Sequence, residues 1–236
     1  MKPVGIFMHS VTEGPGYFAT FLDGRGLPWR LIRVCDGEAV PSDVRHFSGL
    51  GFMGGPMSVN DDLPWIAPEL QLIRDAVRED VPVIGHCLGG QLISKALGGE
   101  VSSNPVKEIG WGQVTVTNAD EGSRWLGPMR SFESFHWHGE TFTIPPGATH
   151  FAGSAACANQ MYALGKHLGM QCHVEMTEEL IAAWCLDWDR EVTALAQRVP
   201  SVQTPGEMLT HVAEKTAALN AVAQRIYLEW LTGLRD

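Results

Sequence analysis

Short apolar runs and helical stripes alternate through the first half of the chain. Val4 to His9, Trp29 to Val34, Phe47 to Met53 and Val81 to His86 are apolar runs of strand length. Each predicts a buried strand. Gly14 to Asp23 predicts a loop and short helix between the first two. After the third strand come Gly54-Gly55-Pro56, and Asp61 or Asp62 stands where a helix cap is expected. Pro68 suits a first helical turn, and Leu70, Ile73 and Val77 then recur on one face. Strands and helices alternating at this spacing predict βαβ units, and so a single α/β domain with a mostly parallel central sheet flanked by helices.

The second half reads differently. Gly112 to Thr117, Glu133 to Trp137, Thr149 to Ala155 and Gln160 to Leu164 are short strand-like runs between Gly, Pro and Asn turns. Leu168 to Glu175 returns to a buried strand pattern. Thr177-Glu178-Glu179 then makes a helix start, a cap followed by an acidic first turn. Leu180 to Trp188, Glu191 to Arg198 and about Pro205 to Leu234 read as helices, a helical C-terminal extension. No repeat, low-complexity segment or interdomain linker interrupts the pattern.

Composition narrows the partners more than the fold. The chain has 236 residues, 44% hydrophobic and 19% charged, with a formal net charge of -10. That balance argues against nucleic acid, whose phosphates need a basic face. The N-terminal run Pro3 to Met8 is short for a signal peptide, and no window approaches the roughly 18 apolar residues of a membrane span. The expectation is a cytoplasmic protein with no membrane partner. Five cysteines, at 35, 87, 157, 172 and 185, are odd in number and form no Cys-x-x-Cys pair. They read as reduced thiols of which at most one is chemically special.

That one is Cys87. The strand Val81 to His86 runs into Gly85-His86-Cys87-Leu88-Gly89-Gly90-Gln91, and a helical pattern follows at once. This is how a buried strand passes through a sharp turn into a helix with one residue at the apex. The glycines leave room for a strained turn and close strand–helix packing. A thiol at a helix N-terminus faces the positive end of the dipole, which favours the thiolate. Gln91, one turn on, projects on the same side as the sulfur.

A cysteine nucleophile needs a base, because a free thiol titrates near pH 8.5. Among nine histidines, His173 stands out in the frame Met170-Gln171-Cys172-His173-Val174-Glu175-Met176. In a strand, His173 and Glu175 share a face, so the carboxylate can orient the imidazole. The glycine pair Gly54-Gly55 ends the strand that would neighbour the Cys87 strand. A backbone N–H there, with that of Leu88, could form an oxyanion hole.

These segments, in this order, resemble the class I glutamine amidotransferases, a Cys-His-Glu glutaminase family. The matching pieces are Gly54-Gly55-Pro56, Gly85 to Gln91, Trp137-His138-Gly139-Glu140 and His173-Val174-Glu175, spread over most of the chain. The resemblance is to a stand-alone glutaminase of the GMP-synthase type. It implies a flavodoxin-like sheet, a domain of that family over residues 1–190, and residues 191–236 as a helical cap of the same domain. It implies Cys87 as nucleophile, His173 as base, Glu175 as its orienter, and the Gly55 and Leu88 amides as the oxyanion hole. Gln91 and the backbone at Trp137, Gly139 and Glu140 would hold the two ends of glutamine. No cofactor is implied. Two positions depart from the family pattern: Val174 stands where proline is usual, and His86 where an apolar residue is usual.

Phe135-His136-Trp137-His138-Gly139-Glu140 is the competing cluster. His136, His138 and Glu140 could be imagined around a metal, but the spacing fits no strong ligand motif, so no metal is expected. The leading expectation is hydrolysis of the γ-amide of glutamine through a cysteinyl thioester, releasing ammonia and glutamate. A γ-glutamyl peptide hydrolase using the same triad is the alternative, and a non-catalytic scaffold or regulatory subunit is the alternative of another class. Glutamine or a γ-glutamyl compound is the expected small-molecule partner, and a separate ammonia-accepting synthetase a second candidate. No phosphate loop, ATP-pyrophosphatase loop or dinucleotide fingerprint is present in the sequence.

Overall fold

The computed structural model describes residues 1–235. Along the chain, β1 (Val4–Met8) is followed by α1 (Gly16–Asp23), β2 (Trp29–Arg33), β3 (Gly49–Phe52), α2 (Ile66–Arg78), β4 (Val83–His86) and α3 (Leu88–Ala96). Then come β5 (Val101–Val116), α4 (Ala119–Leu126), β6 (Ser131–Phe142), β7 (Thr149–Gly153), β8 (Met161–Leu164) and β9 (His167–Met170). The chain finishes with α5 (Glu178–Asp187), α6 (Asp189–Ala196), α7 (Pro205–Leu209) and α8 (Val212–Leu231).

All nine strands form one sheet in the order β2-β1-β3-β4-β9-β8-β7-β5-β6. From β2 to β9 every pairing is parallel, and from β9 to β6 every pairing is antiparallel. The parallel half begins 2-1-3-4, the flavodoxin-like order. Its central strands are buried along their whole length, β1 and β4 included, because helices cover both faces. Val4 and Ile6 of β1 enter the apolar cluster shared with α1, α5 and α8, whereas Phe7 enters the one shared with α2 and α3. That is the period-two alternation of a strand.

Several boundaries differ from the sequence reading, each for a local reason. The strands expected at Gly112–Thr117 and Glu133–Trp137 belong to a much longer β5–β6 ribbon, the first at the C-terminal end of β5. A register shift between Ser103 and Glu108 breaks its pattern, with Pro105 inside. Helix α4, absent from the reading, starts at Asn118, whose side chain accepts from the Asp120 and Glu121 amides. Asp61 and Asp62 do not cap α2. Asp61 instead accepts from the Ser58 amide at 2.9 Å, and α2 begins after Trp65 with no side-chain cap. The expected helix from Pro205 to Leu234 is interrupted at His211, which takes a left-handed conformation (φ 57°) between α7 and α8. Thr177 does cap α5, accepting from the Leu180 amide.

The C-terminal helices complete the core. Trp230 of α8 is fully buried, edge-on to Phe18 of α1 at 5.6 Å between ring centroids, and its ring fills the space beside Gly49 of β3. Trp230→Ala is expected to cost about 3–5 kcal/mol, the usual range for deleting a buried large aromatic. Urea denaturation followed by circular dichroism checks this. No helix among the described residues is long and apolar enough to cross a membrane.

Candidate active site

The sharp turn expected at Cys87 is present. β4 ends at His86, α3 begins at Leu88, and Cys87 between them sits at φ 50° and ψ −108°. A non-glycine residue there carries about 1–3 kcal/mol of strain, which the surrounding packing must hold. The Cys87 amide donates to the Met170 carbonyl at 2.8 Å, tying the elbow to the end of β9. The flanking glycines are needed for close approach. A Cβ on Gly89 would run into the Phe52 carbonyl oxygen, and one on Gly90 into that of Met170.

His173 and Glu175 meet next to this elbow, though not on a strand. β9 stops at Met170, and His173 is held by a single bridge to β6, its amide donating to the Phe135 carbonyl at 2.9 Å. The shared strand face predicted from sequence is therefore a shared loop. The pairing survives: His173 Nδ1–H donates to Glu175 Oε1 at 2.6 Å, with both side chains buried. His173 Nε2 has no other partner among the described residues and is left for the Cys87 sulfur. Burial opposes charge on the ring, but the Glu175 carboxylate and the Cys87 sulfur outweigh it and hold the His173 pKa well above its ordinary value. Burial also works against the Glu175 charge, yet His86 and His173 keep that carboxyl below the ordinary range.

Cys87, His173, Gly55, Gln91, Trp137, Gly139 and Glu140 all line one open cleft of about 410 Å³. It lies beyond the carboxyl ends of the parallel strands, where open α/β sheets bind ligands. The first-turn amide of Leu88 has no carbonyl of its own helix to bond. Among the described residues neither it nor the Gly55 amide is taken up by a turn hydrogen bond. The arrangement can deprotonate a thiol and hold an anion developing beside it.

The Glutamine amidotransferase class-I family model matches residues 34–182. The chain belongs to that family. It is 34% identical to YfeJ, a glutamine amidotransferase-like protein of Salmonella typhimurium, over 75% of this chain and 77% of the relative. It is 27% identical to gamma-glutamyl peptidase 3 of Arabidopsis thaliana, over 70% of this chain and 71% of that one. A crystal structure of a glutamine amidotransferase from Methylobacillus flagellatus covers 100% of this chain and 96% of its own at 45% identity, with a TM-score of 0.97.

Not every residue of this amidotransferase-family site stands as its sequence suggested. Gln91 is buried, and its amide donates to Gln171 Oε1 at 3.2 Å. Gln171 in turn brings its Nε2 to 3.5 Å from the Cys87 sulfur. The Trp137 carbonyl oxygen lies 3.9 Å from that sulfur. The Glu140 carbonyl accepts from His138 Nδ1 at 3.0 Å, while its carboxylate accepts from Ser58 Oγ at 2.9 Å. Glu140 thus braces the loop after Gly55.

Two further residues, Gln171 and Glu13, were missed, and His86 was named only as a departure from the family pattern. Gln171 alternates with His173 along the chain, a signal that was available. Glu13 lines the cleft near His173; burial, helped by the Glu175 charge, pushes its carboxyl up to about 7. His86, the departure from the family pattern, shares a 3.0 Å hydrogen bond with the Tyr227 hydroxyl of α8 and lies 3.9 Å from Glu175 Oε2. Burial lowers its pKa.

His136 and His138 do form a cluster, but with Glu108 of β5 rather than Glu140. Their possible ligand atoms lie within 4.8 Å of one another. Glu108 Oε2 accepts from Ser154 Oγ at 3.0 Å and Gln160 Nε2 at 2.8 Å, and lies 3.1 Å from His138 Nε2. His136 Nδ1 lies 3.5 Å from the same carboxylate oxygen and 3.4 Å from Gln160 Nε2. The cluster is a hydrogen-bonded network that reaches the cleft through His138, one of its lining residues. Burial pushes the His136 pKa down to about 4, so that ring is neutral near pH 7.

Proposed function

We propose that the chain hydrolyses the γ-amide of glutamine through a thioester on Cys87. The observation that carries this reading is the His173 geometry: Nδ1 fixed on Glu175 and Nε2 left open toward a thiol at a strand-to-helix elbow. His173 takes the Cys87 proton, and the sulfur attacks the γ-carbonyl carbon. The resulting oxyanion is received by the Gly55 and Leu88 amides, each such donor being worth about 3–4 kcal/mol of barrier. The imidazolium returns its proton to the nitrogen as the C–N bond breaks, and ammonia leaves. Water, deprotonated by the same ring, then cleaves the thioester to glutamate. Gln91 and the Trp137, Gly139 and Glu140 segment are assigned to the amino-acid end of the substrate. The freed ammonia passes to solvent or to a separate synthetase.

One observation favours a second reading, hydrolysis of a γ-glutamyl conjugate. The cleft is also lined by Trp184, Trp188, Val192, Lys107 and Glu191. Its volume falls in the range of pockets for larger ligands, about 300–1,000 Å³. Such room suits a leaving group bulkier than ammonia, and gamma-glutamyl peptidase 3 is among the relatives. Purified protein offered glutamine and γ-glutamyl dipeptides separately, with ammonia, free amine and glutamate all quantified, distinguishes the two. Equal ammonia and glutamate from glutamine supports the first, and faster amine release from the dipeptides the second. Release of neither by folded protein with Cys87 reduced would overturn both.

A further inference from the structure

A second buried imidazole lies against the Gly54–Gly55 peptide. His9 follows β1 directly and is almost fully buried. Its Nε2 lies 3.0 Å from Glu69 Oε2 on α2, and neither side chain has solvent contact. Its Nδ1 lies 3.0 Å from the Met53 carbonyl oxygen and 3.3 Å from that of Gly54. Both ring nitrogens therefore face only acceptors, so both carry protons and donate. Burial opposes that charge, but Glu69 and the two carbonyls outweigh it.

A buried ion pair is a poor way to gain stability, since well-packed apolar residues often do as well or better. This pair has a geometric consequence that an apolar pair would lack. The chain has no cis peptide among the described residues, and in a trans peptide the C=O and N–H point to opposite sides. Holding the Gly54 carbonyl on His9 turns the Gly55 N–H away from the imidazole, to the side where Gly55 lines the cleft with Cys87. Without that grip a Gly-Gly peptide is among the easiest to rotate.

We infer that His9, held by Glu69, is the positioning residue of the oxyanion hole: it grips the Gly54 carbonyl and so presents the Gly55 N–H to a γ-carbonyl oxygen bound at Cys87. This rests on the reading of Cys87 as an acyl-accepting nucleophile. Neither His9 nor Glu69 touches the substrate. Their effect passes through one peptide plane.

The test compares two reactions of the same sulfur. Iodoacetamide alkylates a thiolate at a saturated carbon and develops no oxyanion. Acylation by γ-glutamyl-p-nitroanilide, read by p-nitroaniline release, does develop one. The double variant His9→Leu/Glu69→Leu removes the grip without stranding a buried charge. It should alkylate at Cys87 within about twofold of the wild-type rate, while kcat for acylation falls about 10²–10³-fold, the usual loss for one oxyanion donor, with KM little changed. His9→Asn/Glu69→Gln, which keeps an N–H near the Nδ1 position, should recover at least tenfold of that loss. If the leucine pair does not fold, His9→Leu/Glu69→Gln serves, with acylation slowed to the same extent and alkylation unchanged. Acylation at the wild-type rate in the variants, or equal losses in both reactions, overturns the inference. Wild-type protein that is alkylated at Cys87 but never acylated there overturns the functional reading beneath it instead.

Discussion

Cys87→Ala is expected to lower the hydrolytic rate by about 10⁴–10⁶-fold, and His173→Ala by nearly as much. Residues that act as a unit show such non-additivity, because removing either partner leaves only binding and the oxyanion hole. Glu175→Gln should cost less, since the nucleophile and the base both remain and only the group that orients the base is changed. Chemical labelling gives the same prediction without a known substrate. A diazo-ketone glutamine analogue should modify Cys87 and spare the other four thiols. Burial pushes Cys172 up to about 12 and Cys185 up to about 11, and raises Cys157 and Cys35 as well. Those sulfurs are therefore poor nucleophiles near neutral pH. Mass spectrometry locates the adduct, and an adduct on another cysteine of the folded protein would falsify the elbow as the reactive centre.

Gly89→Ala should be the most damaging single-methyl change in the chain. The added Cβ would meet the backbone carbonyl of Phe52, at the end of the fully buried strand β3, so α3 would have to lift off β3. A loss of about 3 kcal/mol or more is expected, at the upper end for overpacking, along with the loss of Cys87 geometry. Gly206→Ala makes the control. It lies in α7 with nothing within 4 Å of the new methyl, so removing glycine's backbone freedom should stabilise by about 0.5–1 kcal/mol. Equilibrium urea titrations of the two variants should shift in opposite directions. A Gly89→Ala midpoint equal to wild type would mean the helix does not approach the sheet as closely as described.

The Cys87 elbow was legible in the sequence because everything that makes it special is contiguous. An apolar strand, a glycine-rich turn and a helical stripe within twenty residues determine the elbow, and with it the fold class. The parallel half of the sheet was legible for the same reason: each βαβ unit is a local pattern of periods. His173 and Glu175 were found by spacing, although the expected strand is a loop and it is the bridge to Phe135 that holds the pair in place. Residues two apart can face one another in either setting, so the pairing outlived the reason given for it.

What the sequence could not decide was which distant polar side chains would share a buried site. His9 and Glu69 are separated by 60 positions, Glu108 and His138 by 30, and His86 and Tyr227 by 141. Each of these residues alone reads as an ordinary polar position. Burying any one of them unpaired is costly, so its meaning depends on the partner that the sheet order and the C-terminal helices bring to it. The sequence by itself determined where the strand-to-helix elbow with Cys87 at its apex sits and the kind of sheet that carries it. Only the tertiary structure decided the buried partners, because hydrogen bonds between remote segments leave no periodic trace in either segment.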